Sequence, residues 1–315
     1  TPCGTLFPYT TLFRSLLREV GGEEYYSVNL TIVQLVFGAA AYAGPFIYSY
    51  LATRMHRPES DGTAGGMVRF FEAITRPGLS WVAMYSIFAG VSVLMLVLIF
   101  TSRMPEVKLG EEERVESFAA FKILFQNRQV WLYIAGQFLY VGLEVGIVTW
   151  ISQFLLEYRG FNPQLTGAKT VAWFWGAFTA GNFLALLLLK LIDSRRILIG
   201  ATVIAMASLG IALFAPGNAA VAGFILLGFG ISPLWPVIYS LALNSVPEHH
   251  GAFSGLLVTA TVGGAMVPLL IGAVGDLFGL RAGMFILFGC LVYIAAIGFW
   301  AKPLVTNKRL GDKKK

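Results

Sequence analysis

Glu144 is the residue whose place in the sequence most directly suggests chemistry. It lies near the middle of a long apolar segment, and no cationic residue is close to it in the sequence. A carboxyl group in such surroundings is costly unless it faces a cavity or a partner. It could bind the hydroxyl groups of a substrate, accept a proton, stay protonated, or make a structural hydrogen bond between helices. Gln137 and Tyr140 lie seven and four residues earlier, a spacing that predicts one stripe of hydrogen-bonding groups on a helix face.

A second group of aromatic and polar residues lies in the next apolar segment. Trp173 and Trp175 stand near its beginning, and Asn182 follows further in. Aromatic faces stack on the apolar C–H faces of ring-shaped ligands, and an amide both donates to and accepts from hydroxyl groups. Trp at a helix end is equally typical of an anchor at the membrane surface. The three residues are therefore candidates for ligand contact, with anchoring as the alternative for the two tryptophans.

Prolines mark interruptions in two later apolar segments. Pro233 and Pro236, in the motif SPLWP, each remove a backbone donor and can kink a helix. The freed carbonyl groups could face a cavity, although a bent helix that only packs well is the alternative. Pro268 predicts a similar break in the following segment. The residues expected on or near the wall of such a cavity are Trp235, Tyr239 and Asn244.

The elements that must position these residues are apolar helices. Apolar residues make up 57% of the 315 and charged residues 13%, whereas a soluble domain carries about 25% charged residues. A helix that crosses a membrane needs about 20 mostly apolar residues. Eight segments meet this requirement, namely 28–51, 81–100, 131–156, 170–190, 197–215, 219–243, 252–275 and 283–301.

The distribution of basic residues predicts how these segments are oriented. With both ends in the cytoplasm, the inner segments hold fifteen Lys and Arg and the outer segments hold seven, which follows the positive-inside rule. The outer segment 52–80, with four Arg, is the exception. The net charge of +6 is therefore attributed to orientation in a lipid bilayer, and no nucleic acid partner is expected.

Three motifs resemble a known family. They are QFLYVGLEVGIVTW (137–150), FGISPLWPVIYSLALNSVP (229–247) and VGGAMVPLLIGAVGDLFG (262–279), and they are similar to the fucose permease-like sugar transporters of the major facilitator superfamily. The first apolar segment, with GAAAYAGP (38–45), resembles the fifth helix of that family, and the third to eighth segments resemble helices seven to twelve. The resemblance implies an all-α membrane protein, a fragment of the major facilitator fold with eight transmembrane helices.

This correspondence also divides the chain. It implies a remnant of the N-terminal half with two transmembrane helices at 16–100, a cytoplasmic link at 101–130, a complete six-helix C-terminal half at 131–302 and a basic cytoplasmic tail at 303–315. The first four helices of the family would then be missing. Residues 5–15, TLFPYTTLFRS, match the translation of a widely used DNA sequencing adapter. We therefore expect 1–15 to be adapter-derived and the chain to begin in mid-protein, with a genuine short amphipathic leader as the alternative.

The function that the resemblance implies is secondary active transport. It implies a symporter that moves a small sugar such as fucose, glucose or galactose across the inner membrane by alternating access, coupled to a proton or to sodium. The carboxylates usually credited with proton coupling lie in helices that this chain lacks, so we expect no transport by the chain alone. A facilitator-family exporter of other small molecules and a non-transporting membrane scaffold are the alternatives. The candidate substrate-binding residues are Gln137, Tyr140, Glu144, Trp173, Asn182, Trp235, Tyr239 and Asn244.

Charged turns between the segments are candidate gates. Asp193, Arg195 and Arg196 resemble a reduced form of the charged loop that latches the inward gate in the superfamily, and positive-inside anchoring is the alternative. Asp276 is a candidate for an outer gate, second to a role in the turn. The sequence shows no nucleophile elbow, metal-ligand cluster or phosphate-binding glycine loop. We therefore expect neither enzymatic activity nor a cofactor or metal, and we expect a monomer.

Overall fold

The described part of the chain is helical. A computed structural model describes residues 25–54, 66–75, 82–101 and 118–304, and the elements within these ranges are helices joined by turns. The segment 1–15 attributed to the adapter, most of the predicted link 101–130 and the tail from residue 305 lie outside the described residues.

The helices have the following bounds. They are α1 (Tyr26–Arg54), α2 (Gly66–Ile74), α3 (Val82–Thr101), α4 (Phe118–Gln126), α5 (Arg128–Arg159), α6 (Ala168–Leu188), α7 (Ser194–Phe214), α8 (Gly217–Ile231), α9 (Leu234–Leu243), α10 (His250–Thr259), α11 (Gly263–Phe278), α12 (Leu280–Met284) and α13 (Ile286–Trp300). A π-helical turn, Pro163–Gly167, precedes α6. A 3-10 turn, Ala260–Val262, joins α10 to α11.

Among the described residues, seven helical stretches are long and apolar enough to cross a membrane, judged by length and composition. They are Ser27–Gly44, Arg128–Arg159, Leu165–Leu188, Ser194–Phe214, Gly217–Leu243, His250–Phe278 and Leu280–Trp300. The second of the eight predicted segments corresponds to α3, in which the apolar stretch is the shorter Tyr85–Leu98. The seven stretches therefore match the other seven predicted segments.

The chain divides into two compact units, residues 1–39 with 107–315 and residues 40–106. In the second unit, α2 packs on α3 through Val68, Phe71 and Ala83, which are buried. The large apolar side chains of α3 from Val91 to Leu98 are exposed. A contiguous apolar surface of this kind is typical of a helix that faces lipid.

Helix α5 is the central element of the first unit and has 32 residues. Its first turn is capped by Asn127, whose side chain accepts a hydrogen bond from the backbone N–H of Gln129 at 2.9 Å. Gly160 ends the helix in the left-handed conformation, with φ of 68°, which glycine adopts without a steric penalty. The sequence therefore defines both ends of the longest helix.

Close approach of glycines holds α5 against α11. A side chain on Gly263 would overlap the backbone carbonyl of Phe138, and one on Gly142 would overlap Val267. The indole Nε1 of Trp150 donates to the carbonyl oxygen of Pro268 at 3.1 Å. Small residues at a helix interface permit this backbone proximity, which is typical of packing inside membranes.

Hydrogen bonds fix α5 along the rest of its length. Near its start, the hydroxyl groups of Tyr133 and Ser245 lie 2.9 Å apart, and Tyr293 of α13 donates to the carbonyl of Leu132 at 2.9 Å. Near its end, the Tyr158 hydroxyl accepts from the backbone N–H of Arg281 at 3.2 Å. Helix α5 is thus bonded to neighbouring elements at both ends and, through Trp150, in between.

Candidate functional site

Three polar side chains form a stripe on one face of α5. We call Gln137, Tyr140 and Glu144 the polar stripe; at about 100° per residue they fall within a sector of about 60°. The Tyr140 hydroxyl donates to Glu144 Oε2 at 2.5 Å. Gln137 and Tyr140 are fully buried and Glu144 is half-buried. The spacing that predicted one shared face therefore corresponds to a direct contact between two of the three residues.

The Gln137 amide is the least satisfied group of the polar stripe. Neither its Nε2 nor its Oε1 has a hydrogen-bond partner among the described residues, although both atoms are buried. Leaving one such group unpaired costs about 1–3 kcal/mol. The amide therefore has the capacity to bind a polar ligand group that enters the bundle at this point.

The polar stripe lies on the side of α5 that is turned away from α11. Gly142 and Gly146, which approach Val267 and Ile271 of α11, are rotated by roughly half a turn from the stripe at about 100° per residue. The same helix thus uses one face for tight packing and the other for polar groups. The hydrogen bond of Glu144 joins two residues of the same helix, so it differs from the predicted alternative of a structural bond between helices.

Trp235 and Tyr239 form a stacked pair on α9. Their ring centroids lie 5.1 Å apart with an interplanar angle of 21°, and the buried Tyr239 hydroxyl lies 2.6 Å from the Ser254 hydroxyl of α10. Helix α9 runs beside α5, because Gly136 faces Ile238 and Tyr133 contacts Ser245. This antiparallel register, at about 1.5 Å per residue, brings Trp235 to the level of Tyr140.

Asn182 lies on α6 beside the interruption between α8 and α9. Its Nδ2 donates to the carbonyl of Phe178 at 3.1 Å, while its buried Oδ1 has no hydrogen-bond partner in the described part of the chain. The preceding residue, Gly181, directly faces Ser232. Asn182 therefore contributes a second buried amide with unused hydrogen-bonding capacity.

The two tryptophans of α6 have different surroundings. Trp175 is half-buried and contacts Phe178 of its own helix and Phe37 of α1 edge to face, with centroids 5.2 Å and 5.5 Å apart. Trp173, the predicted substrate contact, is 52% exposed. Since residues two apart on a helix point about 200° from each other, only one of the two can face the bundle, and here it is Trp175.

The interruptions lie at two places in the later helices. Ser232 and Pro233 separate α8 from α9, and Pro236 occupies the first turn of α9, where its missing N–H leaves no intrahelical bond unmade. Pro268, in contrast, lies inside the continuous helix α11. The irregular turn in that segment is Ala260–Val262, before Gly263. The expected break at Pro268 is therefore wrong in position, because α11 begins only at Gly263 and continues through the proline.

The charged residues between α6 and α7 act at the start of α7. Asp193 is the N-cap of α7 and accepts from the backbone N–H of Arg195 at 2.8 Å. The Arg195 side chain contacts the Asp193 carboxylate at 3.3 Å and the Ala301 carbonyl at 3.4 Å. Arg196 is exposed. This turn is thus tied to the end of α13, while Arg196 remains outside that network.

Two further predicted residues lie apart from the polar stripe. Asn244 follows α9, where its Nδ2 contacts the Ser240 hydroxyl at 3.4 Å and its carbonyl accepts from the Leu304 N–H at 2.7 Å. Asp276 is exposed and forms no ion pair within the described ranges. Arg281 instead lies over the Tyr158 ring, 4.6 Å from its centroid. Asn244 thus closes a helix end, and no described residue pairs with Asp276 as an outer gate would require.

Sequence reasoning missed two partners of the candidate site. Ser254 holds the hydroxyl of Tyr239, and Phe37 packs on Trp175. The GAFSG motif around Ser254, a hydroxyl between small residues, was the available signal for the first. The Phe37 contact joins residues far apart in the sequence and has no local signal.

The comparisons with known proteins identify the family. The chain matches the family model described as Major Facilitator Superfamily over residues 8–261, which is more than half of its length. The chain belongs to the Major Facilitator Superfamily. The match confirms membership of the superfamily that the sequence motifs implied.

Two relatives and one solved structure define the similarity further. The chain is 31% identical over 210 residues to a glucose/galactose transporter of Brucella abortus, covering 65% of this chain and 50% of that protein. It is 28% identical over 217 residues to an L-fucose-proton symporter of Haemophilus influenzae, covering 67% and 50%. The chain spans about half the length of these curated relatives. It matches the crystal structure of the transporter FucP in the outward conformation with a TM-score of 0.73 at 20% identity, covering 89% of this chain and 69% of FucP, which confirms the predicted fold.

Proposed function

We propose that the chain is part of a symporter that moves a small sugar together with a cation. The observation that carries the proposal is the polar stripe, in which a buried Gln137 amide with no hydrogen-bond partner among the described residues lies beside the hydrogen-bonded Tyr140 and Glu144. The names of the relatives, a glucose/galactose transporter and an L-fucose-proton symporter, support the substrate class. Glucose, galactose and fucose are the candidate substrates.

The chemistry of the site suits a sugar ring. The Gln137 amide offers both a donor and an acceptor to hydroxyl groups, and Glu144 offers carboxyl oxygens. The stacked Trp235 and Tyr239 supply an aromatic surface for the apolar face of the ring. We propose that Asn182 adds a second amide, whose oxygen has no partner in the part of the chain that the structure describes. A site made of a few convergent polar groups beside aromatic side chains is typical of small-molecule recognition.

Within this chain, Glu144 is the group that we propose takes part in coupling, together with the carboxylates that the resemblance implies in the missing helices. It is a carboxyl group in a membrane-spanning helix, and it forms no ion pair within the described part of the chain. An ionisable residue in this position is by default associated with transport or proton transfer. Its contact with Tyr140 links its protonation to the hydrogen-bonding groups that would receive the sugar. The proposed coupling ion is a proton, and sodium is the alternative that the experiment below separates.

The proposed mechanism is alternating access in the inner membrane. Transporters of this type bind substrate near the middle of the bilayer and expose it in turn to each side. The bias of Lys and Arg supports a topology in which both ends of the native segment lie in the cytoplasm. The charged turn at Asp193 and Arg195, which contacts the end of α13, is the proposed inner latch. We propose a monomer that requires neither cofactor nor metal.

Sugar binding to the purified chain in lipid nanodiscs tests this proposal. Titration calorimetry with L-fucose, D-galactose and D-glucose is expected to show saturable binding of at least one of them, and a hydrophobic cation such as tetraphenylphosphonium is expected not to bind. The titrations are repeated across pH at fixed sodium and across sodium at fixed pH. Binding of the cation without any sugar would contradict the proposal and favour an exporter. Dependence on sodium alone would contradict proton coupling.

A further inference from the structure

An apolar groove lies on the first unit between α6, α7 and α8. It has a cavity volume of about 230 Å³ and is lined by residues that include Leu184, Leu188, Gly200, Ile204 and Phe229. Two of these side chains, Leu184 and Ile204, are exposed. The groove therefore opens onto the outer apolar surface of the helices. An apolar cavity of about 150 Å³ already admits benzene, so this groove has room for hydrocarbon.

One charged residue lines the apolar groove. Arg196 lies in the first turn of α7, and Gly200 and Ile204 follow at intervals of four residues. At about 1.5 Å per residue, the groove extends about 12 Å along α7 from the arginine. The guanidinium group of Arg196 has no hydrogen bond or ion pair in the described part of the chain, whereas the neighbouring Arg195 is bound to Asp193 and Ala301.

These features define an occupant with a negative head and a hydrocarbon tail. A sugar would find a single polar lining group and would lose the hydrogen bonds that it makes to water. An acyl chain, in contrast, fits an apolar groove that is open to the bilayer. The phosphate of the same lipid can pair with the exposed Arg196 at the start of α7. Lys190, in the turn before α7, is exposed and is a second cation close in sequence to the start of that helix.

We propose that the apolar groove binds one acyl chain of an anionic phospholipid, with the phosphate of that lipid on Arg196. The proposal rests on the membrane-spanning character of the helices and is independent of sugar transport. Phosphatidylglycerol is the lipid to test, because it carries a net negative charge, whereas phosphatidylcholine has the same hydrocarbon chains and no net charge.

Glycines supply a matched pair of variants. A Cβ added at Gly200 meets no atom within 4 Å, so Gly200→Leu would direct a side chain into the apolar groove with no clash at its Cβ. A Cβ at Gly210, on the same helix, also meets no atom within 4 Å, and Gly210 is not part of the groove lining. Gly210→Leu therefore controls for the change in helix propensity and hydrophobicity.

The experiment uses the full chain in phosphatidylcholine vesicles that contain phosphatidylglycerol with a photoreactive acyl chain. Cross-linked residues are located by peptide mass spectrometry and are expected in 184–204 and 229–233. Gly200→Leu should reduce this labelling about tenfold, the loss expected when about two methylene groups lose their burial. Gly210→Leu should leave it unchanged. Arg196→Gln should reduce labelling by phosphatidylglycerol about fivefold. Labelling by the matching phosphatidylcholine probe should fall less, because the choline cation offsets the charge of its phosphate.

Three results would overturn the proposal. The first is that cross-links in the unaltered protein lie only on other helix faces. The second is that Gly200→Leu and Gly210→Leu are labelled equally. The third is that the two lipids label the unaltered protein equally and that Arg196→Gln changes neither level of labelling. If Gly200→Leu does not fold, the map of the unaltered protein and the Arg196→Gln comparison decide the matter.

Discussion

The polar stripe and the apolar groove lie in the same helical unit and each holds a group without a partner among the described residues, but the surroundings of those two groups differ. Gln137 is an amide buried inside the bundle, next to a hydroxyl and a carboxyl group. Arg196 is a cation in the otherwise apolar lining of the apolar groove. A polar group without a partner therefore does not identify its ligand by itself. Its neighbours decide whether the complement is a polyhydroxyl ring or a charged head with an apolar tail.

The largest expected effect comes from the packing that holds the polar stripe in place. Gly263→Leu would drive a side chain into the Phe138 carbonyl of α5, and overpacking of this kind costs about 1–3 kcal/mol or more. We expect the thermal midpoint to fall sharply and sugar binding to be lost. Gly210→Leu, in open space, is the control. Unchanged thermal midpoints in both variants would show that the contact between α5 and α11 is looser than described.

Gln137→Leu should separate stability from function. The substitution removes two buried atoms that have no partner in the described ranges, so the free energy of unfolding should rise by about 1–3 kcal/mol. Sugar affinity should fall by about tenfold or more, because the ligand loses an amide that donates and accepts. Calorimetry and thermal unfolding measure the two effects on one sample. A destabilised variant with normal sugar affinity would mean that the amide is structural.

Tyr140→Phe and Glu144→Gln test the hydrogen-bonded pair. Tyr140→Phe leaves Glu144 without the donor that contacts it, and sugar affinity should fall about tenfold, as for loss of a hydrogen bond to a charged group.

In a proton-coupled symporter the proton and the sugar favour each other's binding, so the affinity of the unaltered chain for sugar should fall as pH rises. Glu144→Gln keeps an acceptor for Tyr140 but cannot ionise, so its sugar affinity should not vary with pH. A pH-dependent Glu144→Gln variant would assign coupling to another residue.

The aromatic residues should give a smaller, selective effect. Trp235→Leu removes the half of the stacked pair that is not fully buried, and sugar affinity should fall about fivefold, as for loss of about 1 kcal/mol of aromatic contact. Trp173→Leu alters a side chain that is 52% exposed, so sugar affinity should stay the same. Equal losses in both variants would place Trp173 in the site as well, as the sequence suggested.

The smallest effect is expected at the charged turn. Asp193→Ala removes the N-cap of α7, which should cost about 1 kcal/mol of stability. Sugar affinity and lipid labelling should both stay within error, because Asp193 belongs neither to the polar stripe nor to the residues that line the apolar groove. A change in sugar affinity larger than the change in stability would support a latch that communicates with the substrate site.

The sequence predicted features that depend on local spacing. Residues four apart on one helix share a face, so the sequence predicted that Tyr140 and Glu144 lie on the same face of α5. The same spacing relates Trp235 to Tyr239, although the stacking of their rings was not predicted. Hydropathy likewise located the segments, because a helix that crosses a bilayer needs a long apolar run.

Features that depend on how helices are rotated and paired could not be predicted in this way. Periodicity relates Trp173 to Trp175 but does not say which of them faces the bundle. A proline in an apolar segment marks an irregularity only to within a turn or two, so Pro268 suggested a break that lies at Ala260–Val262. The apolar groove depends on three helices and on the space that Gly200 leaves open. The spacing of residues along the sequence does not reveal a space between three helices.

The hydrogen bonds that tie Tyr133, Trp150 and Tyr158 of α5 to neighbouring elements bear on selectivity. A helix fastened at three levels cannot rotate or slide to adapt to a ligand, so its donors and acceptors are preorganised and little entropy is lost in ordering them. Under the proposed function, two sugars that differ in the orientation of one hydroxyl would meet the same fixed groups. The epimer that leaves the Gln137 amide without a hydrogen bond would bind more weakly by the full free-energy cost of that unpaired group. The rigidity of α5 would thus allow the protein to distinguish stereoisomers.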